Sequence, residues 1–506
     1  MRETKRSKAR IYLTILLGVI SVLANCFISL FITPKVTNTI GIEAYGYVTL
    51  AKNFVAYATI LTTALNSYAA RYMSIAYLKG EKRRFKNYTS TVFLGDLFIG
   101  LILLIIGVLF TWRAETIINI EGSLVNDVKI LFLLSFISFF INTISTVFTA
   151  TGYIKDKIEI LNIIKTTSYI VEMIVLIFCF WIIEPSTWYV GLASLSMALV
   201  LLIGTYVMTK ILLPESEISL KFFDTLALKE LVINGFWNSA NSLGNALNSG
   251  LDLLVTNLML SNMAMGQVSV AKTINNIIFA LYSAISQAFQ PKLLKHYSNG
   301  NKNELIKELK SAMSVSGIIT NCIFTGFIVV GYDFLNMWLP GQDIRTIFPI
   351  TVIAMMPCIS EGCVFPLYYV YTLTVKNKIP CVITIIGGLI NVLSMIVLIR
   401  FTGLGIYSIV ITTAIIMNFI GFVTNPIYVA NCLQVKKITF YPEILFNVLS
   451  LGIAIISLSV VKSHWIGRIY EWKKMIITVL FLGTIALGIQ ILLLKAFNHL
   501  KRQTRK

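Results

Sequence analysis

Runs of about 20 predominantly apolar residues recur along the whole chain, each long enough to cross a bilayer as a helix. No other feature limits the fold as strongly. Inside hydrocarbon every backbone N–H and C=O must find a partner within the protein, which only helices and closed barrels achieve. The runs are continuous and long, unlike the short alternating strands of a membrane β-barrel. Of the 506 residues, 57% are hydrophobic and 13% charged, whereas a soluble domain carries roughly a quarter charged residues. With a mean hydropathy of +0.80, this surplus of apolar surface has no water-soluble solution. The expected fold class is an all-α polytopic membrane protein with about 14 transmembrane helices. Its expected spans run from 11–33 to 474–495, the seventh at 233–260 and the tenth at 346–373. The second, 46–76, is overlong and implies tilt or extension beyond the bilayer.

The net charge of +19 invites a nucleic-acid reading, but its distribution opposes one. With the N-terminus placed inside, 30 of the 42 Lys and Arg residues fall on that side, 9 fall outside, and Lys52, Arg71 and Lys272 lie within spans. The positive-inside rule then puts both termini in the cytoplasm, with anionic lipid headgroups as neighbours and no nucleic-acid partner. The first apolar run is longer than a signal-peptide core and lacks a small-residue cleavage site, so it reads as a retained span. The seven cysteines show no paired spacing and read as small buried hydrophobes. No P-loop is present, and His296, His464 and His499 have no metal-ligand spacing. No extramembrane segment exceeds about 22 residues, leaving no soluble catalytic domain. The expectation is a non-enzyme with no catalytic residues, no metal and no cofactor.

The chain also repeats itself at an offset of 220 residues. Ala44, Gly46, Val48, Ala51 and Lys52 recur as Ala264, Gly266, Val268, Ala271 and Lys272, five identities in nine ungapped positions. At the same offset Asn25 meets Asn245, Ser29 meets Ser249, Tyr77 meets Tyr297 and Gly80 meets Gly300. Six spans separate equivalent points, and an even number keeps both halves in one orientation. Two parallel six-helix bundles follow, related by a pseudo-twofold along the membrane normal. The expected domains are an N-terminal bundle (1–213), a cytoplasmic connector (214–232), a C-terminal bundle (233–440) and two extra helices with a basic tail (441–506).

Polar residues inside the spans supply the candidate site. Asn234, Asn238, Asn241, Asn245, Asn248 and Asp252 follow at intervals of three and four, which is one face of a helix. Ser21, Asn25 and Ser29 form a weaker copy in the first span. Such a stripe faces either a water-filled cavity or neighbouring helices that it hydrogen-bonds. Ionisable groups at membrane depth are Lys52, Lys272, Asp96, Glu172, Asp252 and Glu361, and intramembrane charge is by default a functional candidate. The symmetric Lys52 and Lys272 suit an anionic group such as a pyrophosphate, or else snorkel to headgroups. The substrate-binding candidates are Lys52, Lys272, Asn25, Asn241, Asn245 and Asn248. Asp252, Glu361 and Glu172 are candidates for proton or cation coupling, or for a buried pair with one of the lysines.

Fourteen spans, duplicated sixes, the spacing Pro34, Gly41, Gly46 after the first span and Arg71 near the inner end of the second resemble the polysaccharide-biosynthesis flippases. These include the O-antigen and capsule repeat-unit transporters of the multidrug/oligosaccharidyl-lipid/polysaccharide exporter superfamily. The resemblance implies an undecaprenyl-diphosphate-linked oligosaccharide as substrate, outward movement across the bacterial plasma membrane, and ion-coupled alternating access. It also implies a polysaccharide polymerase and a chain-length regulator as partners. Two other functions compete. A multidrug or toxin extruder of the same fold is expected to have twelve spans and an acidic cation-binding cavity. A membrane-embedded polymerase or glycosyltransferase is expected to carry a sizeable external loop.

Overall fold

The apolar runs are all helical in the computed structural model, which describes residues 2–503, and none of the described residues lies in a strand. Arg505 and Lys506 of the basic tail lie outside the described residues, as do the side chains of Arg2–Arg10, Lys501 and Arg502. Among the described residues, thirteen helices are long and apolar enough to cross a membrane. The remaining expected span, 233–260, is also helical, but its asparagines and a break in the helix keep it out of that set.

The chain divides into two compact units, Met1–Gly266 and Gln267–Lys506. The first holds α1 (Arg2–Thr39), α2 (Ile42–Asn66), α3 (Ala69–Leu78), α4 (Lys82–Trp112), the short α5 (Ala114–Ile117), α6 (Val125–Ile154), α7 (Ile158–Ile182), α8 (Tyr189–Leu212), α9 (Thr225–Ser249) and α10 (Asp252–Met259). The overlong second span is thus two helices, interrupted at Ser67 and Tyr68 between α2 and α3. Its core joins Leu65, Met73, Tyr88, Val92, Val147 and Leu231. The seventh span belongs to this unit because α9 lies along α2. A Cβ on Gly235 would stand 1.9 Å from the Ala64 carbonyl oxygen, so only glycine permits that approach.

The second unit takes up α11 (Asn262–Ser298) from Gln267 onward, followed by α12 (Lys302–Trp338), α13 (Ile344–Met355), α14 (Pro357–Val364), α15 (Tyr369–Thr374), α16 (Lys378–Phe401), α17 (Tyr407–Phe419), α18 (Asn425–Cys432), α19 (Tyr441–Val461) and α20 (Trp472–Gln503). The expected tenth span is segmented. Proline opens α14 at Pro357, and a 3₁₀ turn containing Pro366 separates α14 from α15. Proline removes a backbone donor and clashes with the preceding turn, so a break there is expected. Helices α19 and α20 dock on α12 through Val329, Val330, Ala454, Leu458, Met475 and Leu482.

Element bounds repeat at the offset seen in the sequence. The starts at Ile42 and Asn262, Lys82 and Lys302, and Ile158 and Lys378 lie 220 apart, as do the ends at Leu212 and Cys432. Gly80 and Gly300 close the same turn at φ 72 and 70. Gly80 N–H donates to Tyr77 O and Glu81 N–H to Ala76 O. In the second copy Gly300 N–H donates to Tyr297 O and Asn301 N–H to His296 O. This is a Schellman cap, which needs a left-handed residue and favours glycine.

Lipid-facing surfaces are recognisable by exposed apolar side chains such as Phe98, Ile105 and Leu109 on α4 and Ile477, Leu480 and Leu492 on α20. A water-soluble surface would not sustain such patches. Trp112, Trp181 and Trp188 in the first unit, and Trp338, Trp465 and Trp472 in the second, stand at or near helix ends. Amphipathic rings favour that interfacial depth.

Candidate functional site

In the first unit, three of the candidates come together. Glu172 on α7 is buried and accepts a hydrogen bond from Ser194 Oγ on α8 at 3.3 Å. One turn back on α7, the Tyr169 hydroxyl is hydrogen-bonded to the Asn25 side chain on α1. Lys52 on α2 is exposed and lies within electrostatic reach of Glu172 without closing an ion pair. A carboxylate taken out of water costs several kcal/mol unless compensated, and here one hydroxyl and one distant ammonium supply that compensation. The cluster therefore combines a buried acid, an exposed cation, an amide and two hydroxyls drawn from four helices.

The polar stripe differs from the sequence expectation in one respect. Asp252 does not end a continuous helix from 233 to 260: α9 stops at Ser249, Gly250 and Leu251 turn, and Asp252 opens α10. A break inside a span frees backbone groups that lipid cannot satisfy. The Gly250 carbonyl accepts hydrogen bonds from Asn53 Nδ2 at 2.9 Å and the Tyr57 hydroxyl at 2.6 Å, both on α2. Asp252 is buried, accepts from the Leu253 N–H at 2.9 Å, and stands within electrostatic reach of Tyr57. Asn241 and Asn245 are exposed, whereas Asn248 is buried and donates to the Gly244 carbonyl of its own helix.

Asp96, on α4, is fully buried. Asn66 Nδ2 donates to its Oδ1 at 2.7 Å and Thr146 Oγ1 to its Oδ2 at 2.8 Å. Asn66 is the last residue of α2, so this carboxyl ties the α2–α3 break to α4 and α6.

In the second unit Glu361 on α14 is buried and accepts from the Tyr368 hydroxyl at 2.6 Å. Asn425 Nδ2 donates to that hydroxyl at 2.7 Å, and the Tyr371 hydroxyl donates to Asn425 Oδ1 at 3.0 Å. The chain of bonds runs beside a π-helical turn at Ile420–Thr424, a feature common at functional sites. A Cβ on Gly421 there would lie 2.5 Å from Ser360 Oγ. Lys272 on α11 is half-buried, three residues before Asn275, whose Oδ1 accepts from Cys358 Sγ.

Sequence reasoning missed Tyr169, Ser194, Asn53, Tyr57, Tyr368 and Asn425. Asn53 and Tyr57 stand one turn apart in an apolar span, a spacing that marks a shared partner. The tyrosines carry no such mark, since their rings count as apolar and their partners come from distant helices. Among the described residues no three His, Cys, Asp or Glu side chains gather as a metal site.

These features can be set beside known proteins. The chain is 26% identical over 457 residues to the membrane protein EpsK of Bacillus subtilis (strain 168), covering 90% of each. Its fold is similar to that of the lipid II flippase MurJ in an inward closed conformation, with a TM-score of 0.67 at 14% identity over 94% of this chain and 98% of that one. It is also similar to an inward-facing multidrug resistance MATE transporter of the MOP superfamily, with a TM-score of 0.64 at 13% identity over 82% and 96%. Such likeness establishes the shared fold. Residues 14–296 match the family described as polysaccharide biosynthesis protein. The chain is a multi-pass helical membrane protein and belongs to the polysaccharide biosynthesis protein family.

Proposed function

We propose that this protein is a flippase that moves an undecaprenyl-diphosphate-linked oligosaccharide from the inner to the outer leaflet of the bacterial plasma membrane. The observation that carries this reading is the family match over residues 14–296. The shared fold with a lipid II flippase supports it. In this reading Lys52 and Lys272 engage the diphosphate, and Asn25, Asn241, Asn245 and Asn248 engage sugar hydroxyls. Glu172, Glu361 and Asp252 bind and release the coupling ion during alternating access, as buried carboxyls in transporters commonly do. The pseudo-symmetric bundles supply the two moving parts, both termini are cytoplasmic, and a polymerase and a chain-length regulator act on the exported unit.

The MATE likeness favours a second reading, extrusion of small organic cations through the same fold. Deleting the gene in its host separates the two. A flippase deletion accumulates lipid-linked oligosaccharide on the inner leaflet and stops polymer at the cell surface. An extruder deletion leaves the polymer intact and sensitises cells to cationic drugs. Orientation is tested independently: reporter fusions after Lys82 and Asn303 are expected inside, and fusions after Gly122 and Gln342 outside.

A further inference from the structure

Between α8 and α9 the chain folds back over the ends of α4, α6 and α8 and borders a half-open pocket of about 560 Å³. Its floor is aromatic, built from Phe93, Phe148 and Tyr206, with the last two rings edge to face at 5.4 Å. Its rim carries Lys86, Lys210, Glu215 and Glu217 together with the Ser216 hydroxyl. Lys86 Nζ stands 2.5 Å from Glu217 Oε2. Lys210 lies over the Tyr206 ring at 5.5 Å and has no ion-pair partner among the described residues. Among the described residues Glu215 is held only by the exposed Lys82 at 3.9 Å. Lys86 and Lys210 stand within four residues of the ends of the spans Lys82–Trp112 and Tyr189–Leu212, where headgroups meet acyl chains. Tyr206 is exposed.

We propose that this pocket holds the headgroup of a phosphoethanolamine lipid. The lining sets the cations Lys86 and Lys210 beside the carboxylates of Glu215 and Glu217, so both poles of a zwitterion find a counter-charge there. The phosphate meets Lys210 and Ser216, the primary ammonium donates its three N–H bonds toward Glu215 and Glu217, and an acyl chain lies against the aromatic floor. A phosphoglycerol headgroup would set a bare anion against both carboxylates, and choline has no N–H to give them. The occupant tethers the connector at Pro214–Ile218 to the end of α8. Asn87 Nδ2 donating to Asp224 Oδ2 at 3.1 Å, and Ser90 Oγ accepting from the Ser219 N–H at 3.2 Å, hold the rest of that connector on α4.

Native mass spectrometry of the delipidated full chain, titrated with phosphatidylethanolamine, phosphatidylglycerol or phosphatidylcholine, tests this without any variant. The expected result is binding of the ethanolamine lipid at least about tenfold tighter than either other lipid, as one or two charged hydrogen bonds would give. That preference should vanish in the Lys210→Gln/Glu215→Gln double variant, with unchanged elution on gel filtration. Equal retention of the three lipids, or tighter phosphatidylglycerol, would overturn the proposal. Soluble glycerophosphoethanolamine is the second arm. Binding as tight as that of the lipid would overturn the membrane source while retaining the headgroup chemistry.

Discussion

The Tyr57 hydroxyl donates to the Gly250 carbonyl at 2.6 Å, joining the middle of α2 to the break between α9 and α10. With Asn53 Nδ2 at 2.9 Å from the same oxygen, it makes an interrupted span tolerable in lipid. Discontinuous spans in transporters line substrate and ion paths, because only there is irregular backbone useful. Asp252, two residues beyond the break, is placed by this arrangement.

Removing either donor should therefore weaken the fold measurably. Tyr57→Phe and Asn53→Ala are each expected to cost about 1 kcal/mol, and the double variant about 1–3 kcal/mol because the buried carbonyl then has no donor. Thermal unfolding in nanodiscs checks this. Gly235→Ala, which would force a Cβ onto the Ala64 carbonyl oxygen at 1.9 Å, should be more damaging than either.

The Glu172 cluster should separate folding from transport. Glu172→Gln retains an oxygen to accept from Ser194, so the protein should fold with a near-normal unfolding midpoint. If Glu172 carries the coupling ion, gradient-driven transport falls to background in this variant. Lys52→Gln should reduce substrate affinity with abundance unchanged. Gradient-driven transport by Glu172→Gln at the native rate would remove Glu172 from the coupling role.

Asp96 is expected to behave in the opposite way. Its partners, Asn66 at 2.7 Å and Thr146 at 2.8 Å, are short polar side chains that an asparagine can also satisfy. Asp96→Asn should thus transport normally, whereas Asp96→Ala strands both partners and costs about 1–3 kcal/mol. The two unfolding midpoints and two transport rates test this contrast.

Much of this is legible in the sequence. Apolar runs dictate helices because lipid leaves the backbone no other choice, and the matching of Gly80 with Gly300 is visible because a left-handed cap demands glycine in each copy. The breaks were not legible. Hydropathy averages over a window, so the overlong second span gave no sign that Ser67 and Tyr68 interrupt it. The asparagine stripe of the seventh span keeps its helical period across Gly250, although α9 ends there. Asn25, Lys52 and Glu172 were individually suspect as polar residues in lipid, but their grouping depends on how α1, α2 and α7 pack, which one-dimensional spacing does not encode.

The two C-terminal helices are predicted to be a fixed part of the second unit. Lys310 Nζ stands 3.5 Å from the buried Glu443 Oε2 near one end of α19, and Lys462 Nζ 2.7 Å from Asp333 Oδ2 just beyond the other. Removing one partner of a buried pair typically costs about 3–5 kcal/mol, while replacing both with apolar residues is often neutral. Glu443→Ala should unfold early, and Glu443→Leu with Lys310→Met should recover most of the loss.

The central claim, movement of a lipid-linked oligosaccharide, is tested most directly by reconstituting the purified chain in proteoliposomes with a fluorescent undecaprenyl-diphosphate oligosaccharide. Leaflet exchange is read by a membrane-impermeant quencher under an imposed ion gradient. The account predicts protein-dependent loss of leaflet protection that is gradient-stimulated in the native chain and reduced by Lys52→Gln. Protection identical to protein-free vesicles, in a preparation that retains its native unfolding midpoint, would contradict it.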